Sequence, residues 1–191
     1  NCGLKKVKTE FALYLDVDTL PEKNMISSLL EYSNIIKDFS ILAPKDLSHQ
    51  YSKDLYINFN ESEKFHKMQF ITGCAMFIKM EELKKIGLFD ENIFLYYEET
   101  DFYFRCHKAN LGIYLIDSAI FTHIGSSAID KKYDHQISIN RNWHFCWSKF
   151  YYYKKNFNYF YGLKKTFPNF IRAIKKYLFF TIKNENKKAA L

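Results

Sequence analysis

Short apolar runs alternate with helix-like repeats over the first two thirds of the chain. The run Phe11–Leu15 predicts a buried strand. After Pro21, which fits a first helical turn, Met25 and Leu29 recur at helical spacing and predict a helix. Further strands are predicted at residues 40–43, 70–79, 113–116 and 119–123, and further helices at residues 81–86, 100–110 and from about 133 onward.

Proline and glycine mark the expected ends of these elements. Pro44 is expected to end the second strand, and Gly73 to interrupt the third. Gly87 is expected to cap the second helix, and a break is expected near Pro168 in the C-terminal helical region. Residues 45–66 are polar and predict a loop or a hairpin excursion.

Strands that alternate with helices predict an α/β fold, and 191 residues suffice for one domain with a core. With 48% hydrophobic and 26% charged residues, the composition excludes a disordered chain. Cysteines stand only at positions 2, 74, 106 and 146, which excludes a disulfide framework and suits a reducing compartment. No apolar run approaches the roughly 18 residues of a membrane span.

The charge is unevenly distributed. The formal net charge is +7, yet residues 143–191 alone contain ten lysines, one arginine and a single acid, together with 16 of the 36 aromatic residues. Interleaved lysine and aromatic side chains suit an anionic membrane surface, and a solvated helical pair accounts for them equally well. Nucleic acid fits less well, because arginine is scarce. We therefore expect peripheral membrane contact through 143–191 and no nucleic-acid partner.

Two carboxylates stand at the end of the first predicted strand. In Asp16-Val17-Asp18 both acids can converge on one ion where the chain turns, and paired oxygen donors suit Mg²⁺ or Mn²⁺. Ordinary turn and capping roles account for the same residues. A nucleophilic aspartate, as in haloacid dehalogenase phosphatases, is a third interpretation, but Thr19 follows Asp18 one position too early for that motif.

A second acidic group, Glu98, Glu99 and Asp101, follows an aromatic run. Acids at a helix start gain from the helix dipole, and Asp101 with Arg105 forms an i,i+4 pair. Beside the apolar residues 93–97, a carboxylate is also partly desolvated, which raises its pKa and makes it a better general base. Structural and catalytic roles both stay open at this point.

Two shorter motifs add single candidates. Gly73 permits either a bulge or the close approach of a substrate to the backbone. His123 precedes the small residues Gly125 and Ser126, so it can ligate a metal or donate to a phosphate. A lone histidine is more often structural.

Taken in order, these motifs resemble inverting glycosyltransferases of family 2, in particular the rhamnosyltransferase-like enzymes of bacterial surface polysaccharide synthesis. Those enzymes carry D-x-D at a strand end, T-G before an apolar strand, G-x-F-D-E, an acidic pair after tyrosine with a later Asp and Arg, and H-x-G-x-S. The counterparts here are Asp16-Val17-Asp18, Thr72-Gly73-Cys74, Gly87-Leu88-Phe89-Asp90-Glu91, Tyr97-Glu98-Glu99-Thr100-Asp101 with Arg105, and His123-Ile124-Gly125-Ser126-Ser127.

The resemblance implies a fold and a domain division. Residues 1–130 would form an incomplete GT-A (Rossmann-like) mixed sheet flanked by helices, the metal and acceptor side of the enzyme. Residues 131–191 would form a C-terminal helical basic and aromatic extension. The nucleotide-binding portion of the family precedes the counterpart of Asn1, so we expect the sequence to be the C-terminal part of an enzyme.

The resemblance also assigns roles on the donor side. Asp18 would hold Mg²⁺ or Mn²⁺ and the diphosphate of a nucleotide sugar, with Asp16 beside it. His123 would contact the metal or the diphosphate, and Ser126 the diphosphate.

On the acceptor side, Glu99 occupies the position of the catalytic base, with Glu98 and Asp101 in support. Many relatives have aspartate at that position, so Glu98 is the alternative base. Aromatic side chains would offer a stacking surface for an acceptor sugar. The acceptor-binding candidates are Gly73, Phe94, Tyr96, Tyr97 and Arg105.

The expected activity is sugar transfer, with inversion, to a saccharide or polyprenyl-linked acceptor. The expected location is the cytoplasm, at the inner face of the plasma membrane. The alternative is an inactive fragment or a membrane-surface binding module without catalysis.

Overall fold

The computed structural model describes residues 1–57, 59–124 and 134–182. The described residues divide into two compact units: Asn1–Phe89 with Phe102 to the end of the last strand, and Asp90–Asp101 with the two C-terminal helices. The elements are β1 (Phe11–Leu15), β2 (Thr19–Pro21), α1 (Met25–Ile35), β3 (Phe39–Asp46), β4 (Phe65–Lys67), β5 (Ala75–Lys79), α2 (Met80–Ile86), α3 (Glu98–Lys108), β6 (Gly112–His123), α4 (Asp134–Asn156) and α5 (Tyr159–Ile182), with single 3-10 turns at Leu4–Lys6 and Lys53–Leu55.

The first unit is built on one mixed sheet with strand order β1-β5-β3-β6-β2, and β4 also pairs with β6. β3 and β6 are parallel, and the other pairings are antiparallel. Since β5 is antiparallel to both β1 and β3, the three strands β1, β3 and β6 run in one direction. Their carboxyl ends therefore meet at one edge of the sheet, which is where open α/β sheets bind ligands.

Strand alternation gives this sheet two apolar faces. Met76 and Ile78 of β5 belong to the core cluster that α3 covers with Phe102, whereas Phe77 belongs to the opposite cluster, which α1 covers with Leu29. The central strands are buried on both sides, which explains why their sequences are continuous apolar runs.

The second unit contains the long helices α4 and α5. At Gly162 the two helices approach closely, because a side-chain carbon there would lie 3.1 Å from the carbonyl oxygen of Phe150 and 3.2 Å from the amide of Lys154. Among the described residues, no helix combines the length and the apolar character that crossing a bilayer requires.

Several predicted elements are confirmed. β1 and α1 lie where the pattern placed them. The strand predicted over residues 70–79 is confirmed only in its second half, since β5 begins at Ala75 and no strand precedes Gly73 there. Gly87 ends α2 with a φ of 83°, a conformation that favours glycine.

Three proline-based predictions are wrong. Pro21, expected in a first helical turn, is the last residue of β2, and α1 begins only at Met25.

β3 continues through Pro44, because its pairing with β5 covers Ile41 and Leu42 and its register with β6 shifts directly after Pro44. The missing amide hydrogen thus falls where the ladder is already irregular. Pro168 lies inside α5, and the helical region breaks instead before Asn158, whose side-chain oxygen accepts from the backbone nitrogen of Tyr161 at 2.8 Å.

The two strands predicted at 113–116 and 119–123 are one strand, β6. The polar residues Asp117 and Ser118 between them are absorbed by the register shift in the pairing with β3. This continuous strand carries His123 to the carboxyl edge of the sheet.

Candidate functional site

The Asp16-Val17-Asp18 turn connects β1 to β2 at the carboxyl edge of the sheet. The carbonyl of Asp16 accepts hydrogen bonds from the backbone nitrogen of Thr19 at 3.2 Å and from its hydroxyl at 2.7 Å. The backbone nitrogen of Asp16 donates to the carbonyl of Cys74 at 2.9 Å. The turn is thus held by its backbone, and Val17 at its tip is fully exposed.

His123, the last residue of β6, faces this turn. Its Nε2 lies 3.2 Å from Oδ1 of Asp18, and the next backbone nitrogen, of Ile124, donates to the carbonyl of Asp18 at 2.9 Å. One ligand atom from each of Asp16, Asp18 and His123 lies within 4.8 Å of the others. The structure therefore brings His123 next to two acids that precede it by more than 100 positions in the sequence.

The chemistry of this group suits a divalent cation. Two carboxylates are the oxygen donors that Mg²⁺ and Mn²⁺ take, and such ions complete their shells with water and substrate phosphates. The imidazole nitrogen of His123 is a softer donor that Mg²⁺ rarely accepts, so the set fits Mn²⁺ better. Among the described residues, no lysine or arginine forms an ion pair with Asp16 or Asp18.

Asp46, at the end of β3, lies at the same edge and was not predicted from the sequence. Its Oδ1 accepts hydrogen bonds from the backbone nitrogen of Ser48 at 2.8 Å, the Ser48 hydroxyl at 2.7 Å and the backbone nitrogen of His123 at 3.3 Å. Burial raises the pKa of Asp46, but these hydrogen bonds outweigh burial and hold it below its ordinary value. The sequence did contain a signal for Asp46, because an acid at the end of an apolar strand is a candidate ligand. The signal was missed because the strand was expected to end at Pro44.

Cys74, just before β5, forms a second possible ligand group with Asp46 and His123, again within 4.8 Å. Burial raises the pKa of the Cys74 thiol, although a hydrogen bond to Thr72 opposes the shift. A thiol that keeps its proton is a poor metal ligand. The oxygen-rich group of Asp16, Asp18 and His123 is therefore the better candidate for a hard cation.

The second unit contains the other acidic group, at the start of α3. Glu98 and Glu99 are half-buried, whereas Asp101 is completely buried. Nζ of Lys155 lies 2.9 Å from both carboxylate oxygens of Asp101 and 2.7 Å from Oδ2 of Asp90. The lysine thus brings a cation to two acids of its own chain.

Further contacts within this unit fix the segment that leads into α3. The amide of Asn156 donates to Oδ1 of Asp101 at 3.0 Å, and the hydroxyl of Ser148 donates to the carbonyl of Leu95 at 2.8 Å. Tyr96 and Tyr97 both have positive φ, 64° and 68°, which non-glycine residues adopt only when their surroundings hold them there. The acids of α3 therefore follow a strained turn braced by α4.

Aromatic side chains of α4 surround the candidate acceptor residues. The ring of Tyr97 packs 5.4 Å from that of Tyr152 and 5.7 Å from that of Phe145, and burial raises the pKa of Tyr97 to about 12. Tyr96 packs against Phe145 at 5.9 Å. Phe94 is 78% exposed, so of these three rings it offers the most open surface.

The other predicted residues lie in the first unit or outside the described residues. The guanidinium of Arg105 donates to the carbonyls of Ile86, Gly87 and Leu88 at 2.6–3.0 Å and closes the loop after α2. Gly73 lies in the turn before β5. Ser126 lies outside the described residues.

No protein-family model and no curated protein matches the chain. Among solved structures, it is similar to the crystal structure of GalNAc-T7 with UDP, GalNAc and Mn²⁺, with a TM-score of 0.54 at 13% sequence identity. The match covers 72% of this chain and 33% of that one, so the chain spans about a third of that protein's length. The likeness confirms the predicted architecture: the mixed sheet and its helices have the GT-A fold of glycosyltransferases.

Proposed function

We propose that this chain belongs to an inverting, metal-dependent glycosyltransferase that uses a nucleotide-sugar donor. The observation that carries the proposal is the convergence of Asp16, Asp18 and His123 at the carboxyl edge of a GT-A sheet. The similar solved structure holds UDP and Mn²⁺, and a carboxylate pair at a strand end suits the same combination of ion and diphosphate. The motif order of family 2 adds inversion and a role in bacterial surface polysaccharide synthesis.

In this proposal one set of residues stabilises the leaving group and another activates the nucleophile. Asp16, Asp18 and His123 would hold the ion, which when bound offsets negative charge on the departing nucleoside diphosphate. Glu99 would accept the proton from an acceptor hydroxyl, and that oxygen would attack the anomeric carbon on the face opposite the leaving group. Glu98 is the alternative base, and Asp101 would fix the start of α3 through Lys155.

The acceptor would be a saccharide or a polyprenyl-linked saccharide. The exposed ring of Phe94 supports stacking against a sugar, and Tyr96 and Tyr97, which pack against Phe145, are further aromatic candidates. Gly73 and Arg105 remain acceptor-binding candidates. We place the activity in the cytoplasm at the inner face of the plasma membrane, where a lipid-linked acceptor would be available.

The test is a transfer assay on the full gene product. The protein is incubated with a panel of UDP- and dTDP-sugars, Mn²⁺ and saccharide acceptors, and products are identified by mass spectrometry. The proposal predicts a sugar adduct that Asp18→Asn abolishes. Glu31→Gln, which changes an exposed acid on α1 outside the Asp16, Asp18 and His123 group, should leave the adduct intact.

Two outcomes would contradict the proposal. Absence of any adduct from a protein that also fails to bind nucleotide favours the inactive fragment or surface module. Retention of the donor's anomeric configuration, read from the proton NMR of the product, would exclude the single-displacement role of Glu99.

A further inference from the structure

One side of α5 carries large apolar side chains that lie exposed. They recur at spacings of three and four, so they form a stripe along the helix, and Phe160 at its start is 80% exposed. The members of this α5 stripe are Phe160, Leu163, Phe167, Phe170, Ile174 and Leu178.

The contacts between α4 and α5 use a different side of α5. The closest backbone approach is at Gly162, and Asn169 accepts a hydrogen bond from Nζ of Lys149 at 2.9 Å. Tyr161 packs its ring 5.6 Å from that of Tyr153. At 100° per residue, these positions point away from the stripe. Packing against α4 therefore leaves the stripe uncovered.

The charge of α5 is entirely positive. The helix contains four lysines and one arginine, and no acid. On a helical wheel, Lys164 and Lys175 lie beside one edge of the stripe, whereas Arg172 and Lys176 lie on the side away from it. Lysines beside an aromatic and aliphatic stripe are the arrangement of helices that lie in the headgroup region of an anionic bilayer.

We propose that α5 is a membrane-surface helix, which lies in the plane of an anionic lipid bilayer with its stripe buried at the headgroup boundary. A second copy of the chain is a poorer partner for the stripe, because pairing two α5 helices would bring the five positive charges of one close to the five of the other. Nucleic acid would satisfy the charge but leave the stripe exposed. The proposal adds a definite surface to the proposed location and does not depend on sugar transfer.

The test is cosedimentation of the full chain with vesicles of neutral phosphatidylcholine, and with vesicles containing 30% (about one lipid in three) anionic phosphatidylglycerol. We expect binding to the anionic vesicles that weakens as salt is raised, and at least about tenfold weaker binding to neutral ones. Since no nucleotide or sugar is present, the result is independent of whether the protein transfers sugar.

Two pairs of variants separate the apolar and ionic contributions. Phe167→Ser with Phe170→Ser should weaken binding at least about tenfold, whereas Leu30→Ser with Ile35→Ser, which removes exposed apolar side chains from α1, should not. Lys164→Glu with Lys175→Glu, the two lysines at the edge of the stripe, should abolish the preference for anionic lipid, whereas Lys8→Glu with Lys84→Glu should keep it. Circular dichroism and thermal unfolding confirm that each variant folds.

Four results would overturn the proposal. The first is equal binding to both vesicle types by the native chain, and the second is unchanged binding by a folded stripe variant. In the third, neither chain binds vesicles and the stripe variant converts a native dimer into a monomer. In the fourth, duplex DNA rather than vesicles binds the native chain and the stripe variant alike.

Discussion

The two acidic groups of this protein differ in how their charge is balanced. At the end of β1, Asp16 and Asp18 face a histidine, and among the described residues no lysine or arginine pairs with them. At the start of α3, the buried Asp101 shares Lys155 with Asp90. The second group is therefore paired with a lysine of the same chain, whereas the first has no lysine or arginine partner among the described residues.

This difference predicts a cation-binding role for Asp16 and Asp18 and a structural role for Asp101. Burying a carboxylate is costly unless it is paired, and Lys155 supplies the paired charge to Asp101. Carboxylates at a turn that solvent reaches can accept a cation from solution together with its ligands. We therefore expect an acidic group to serve the fold where a lysine of the chain pairs with it, and to bind a cation from solution where no lysine or arginine does.

The largest expected effect concerns Glu99, which stands two residues before Asp101. If this region only holds the fold, Glu99→Gln costs little. The proposed base role predicts instead a fall in turnover of about two to four orders of magnitude with donor binding retained. Steady-state kinetics and nucleotide calorimetry on the full gene product measure the two properties. If turnover persists in Glu99→Gln but is lost in Glu98→Gln, the base is Glu98.

Among these substitutions, replacing Lys155 should cause the largest loss of stability. Lys155→Ala removes the ammonium that lies 2.9 Å from both carboxylate oxygens of the buried Asp101 and is expected to lower the free energy of unfolding by about 3–5 kcal/mol. Urea denaturation measures the loss, and Lys154→Ala, its exposed neighbour, is the matched control with an expected change under about 0.5 kcal/mol. Equal effects of the two substitutions would remove the distinction between the acidic groups.

The same ion pair predicts a pH dependence. Burial raises the pKa of Asp90, but hydrogen bonds from Lys155 and Asn92 outweigh burial and lower the pKa to about 2. Asp90 therefore stabilises the fold above pH 4, and this contribution is lost as the pH falls through about 2. Asp90→Asn should cost about 2 kcal/mol at neutral pH and nothing near pH 2. A cost that does not change with pH would contradict this account.

The smallest effect is expected at the first acidic group. Without added metal, Asp16→Asn and Asp18→Asn should each change the free energy of unfolding by less than about 0.5 kcal/mol, since both side chains reach solvent and neither pairs with a lysine or arginine among the described residues. Thermal unfolding in the presence of a chelator checks this. A loss comparable to that of Lys155→Ala would mean that these acids serve the fold.

The sequence predicted the first acidic group better than the second. Asp16 and Asp18 follow an apolar strand directly, so their position at a sheet edge was evident, and the GT-A fold followed from the motif order. The role of Asp101 was not evident, because its partner Lys155 lies 54 positions away in a helix whose lysines all look alike in the sequence. Asp46 was missed for a similar reason, since the irregular ladder that tolerates Pro44 exists only in the assembled sheet.

The most direct test of the central claim is a Mn²⁺ titration of the native chain, followed by the electron paramagnetic resonance signal of free Mn²⁺. The account predicts one bound ion, with affinity at least about tenfold weaker in Asp18→Asn and unchanged in Glu31→Gln, because Asp18 is one of the two carboxylates that converge with His123 and Glu31 is not part of that group. Absence of binding, or equal binding by Asp18→Asn, would contradict it.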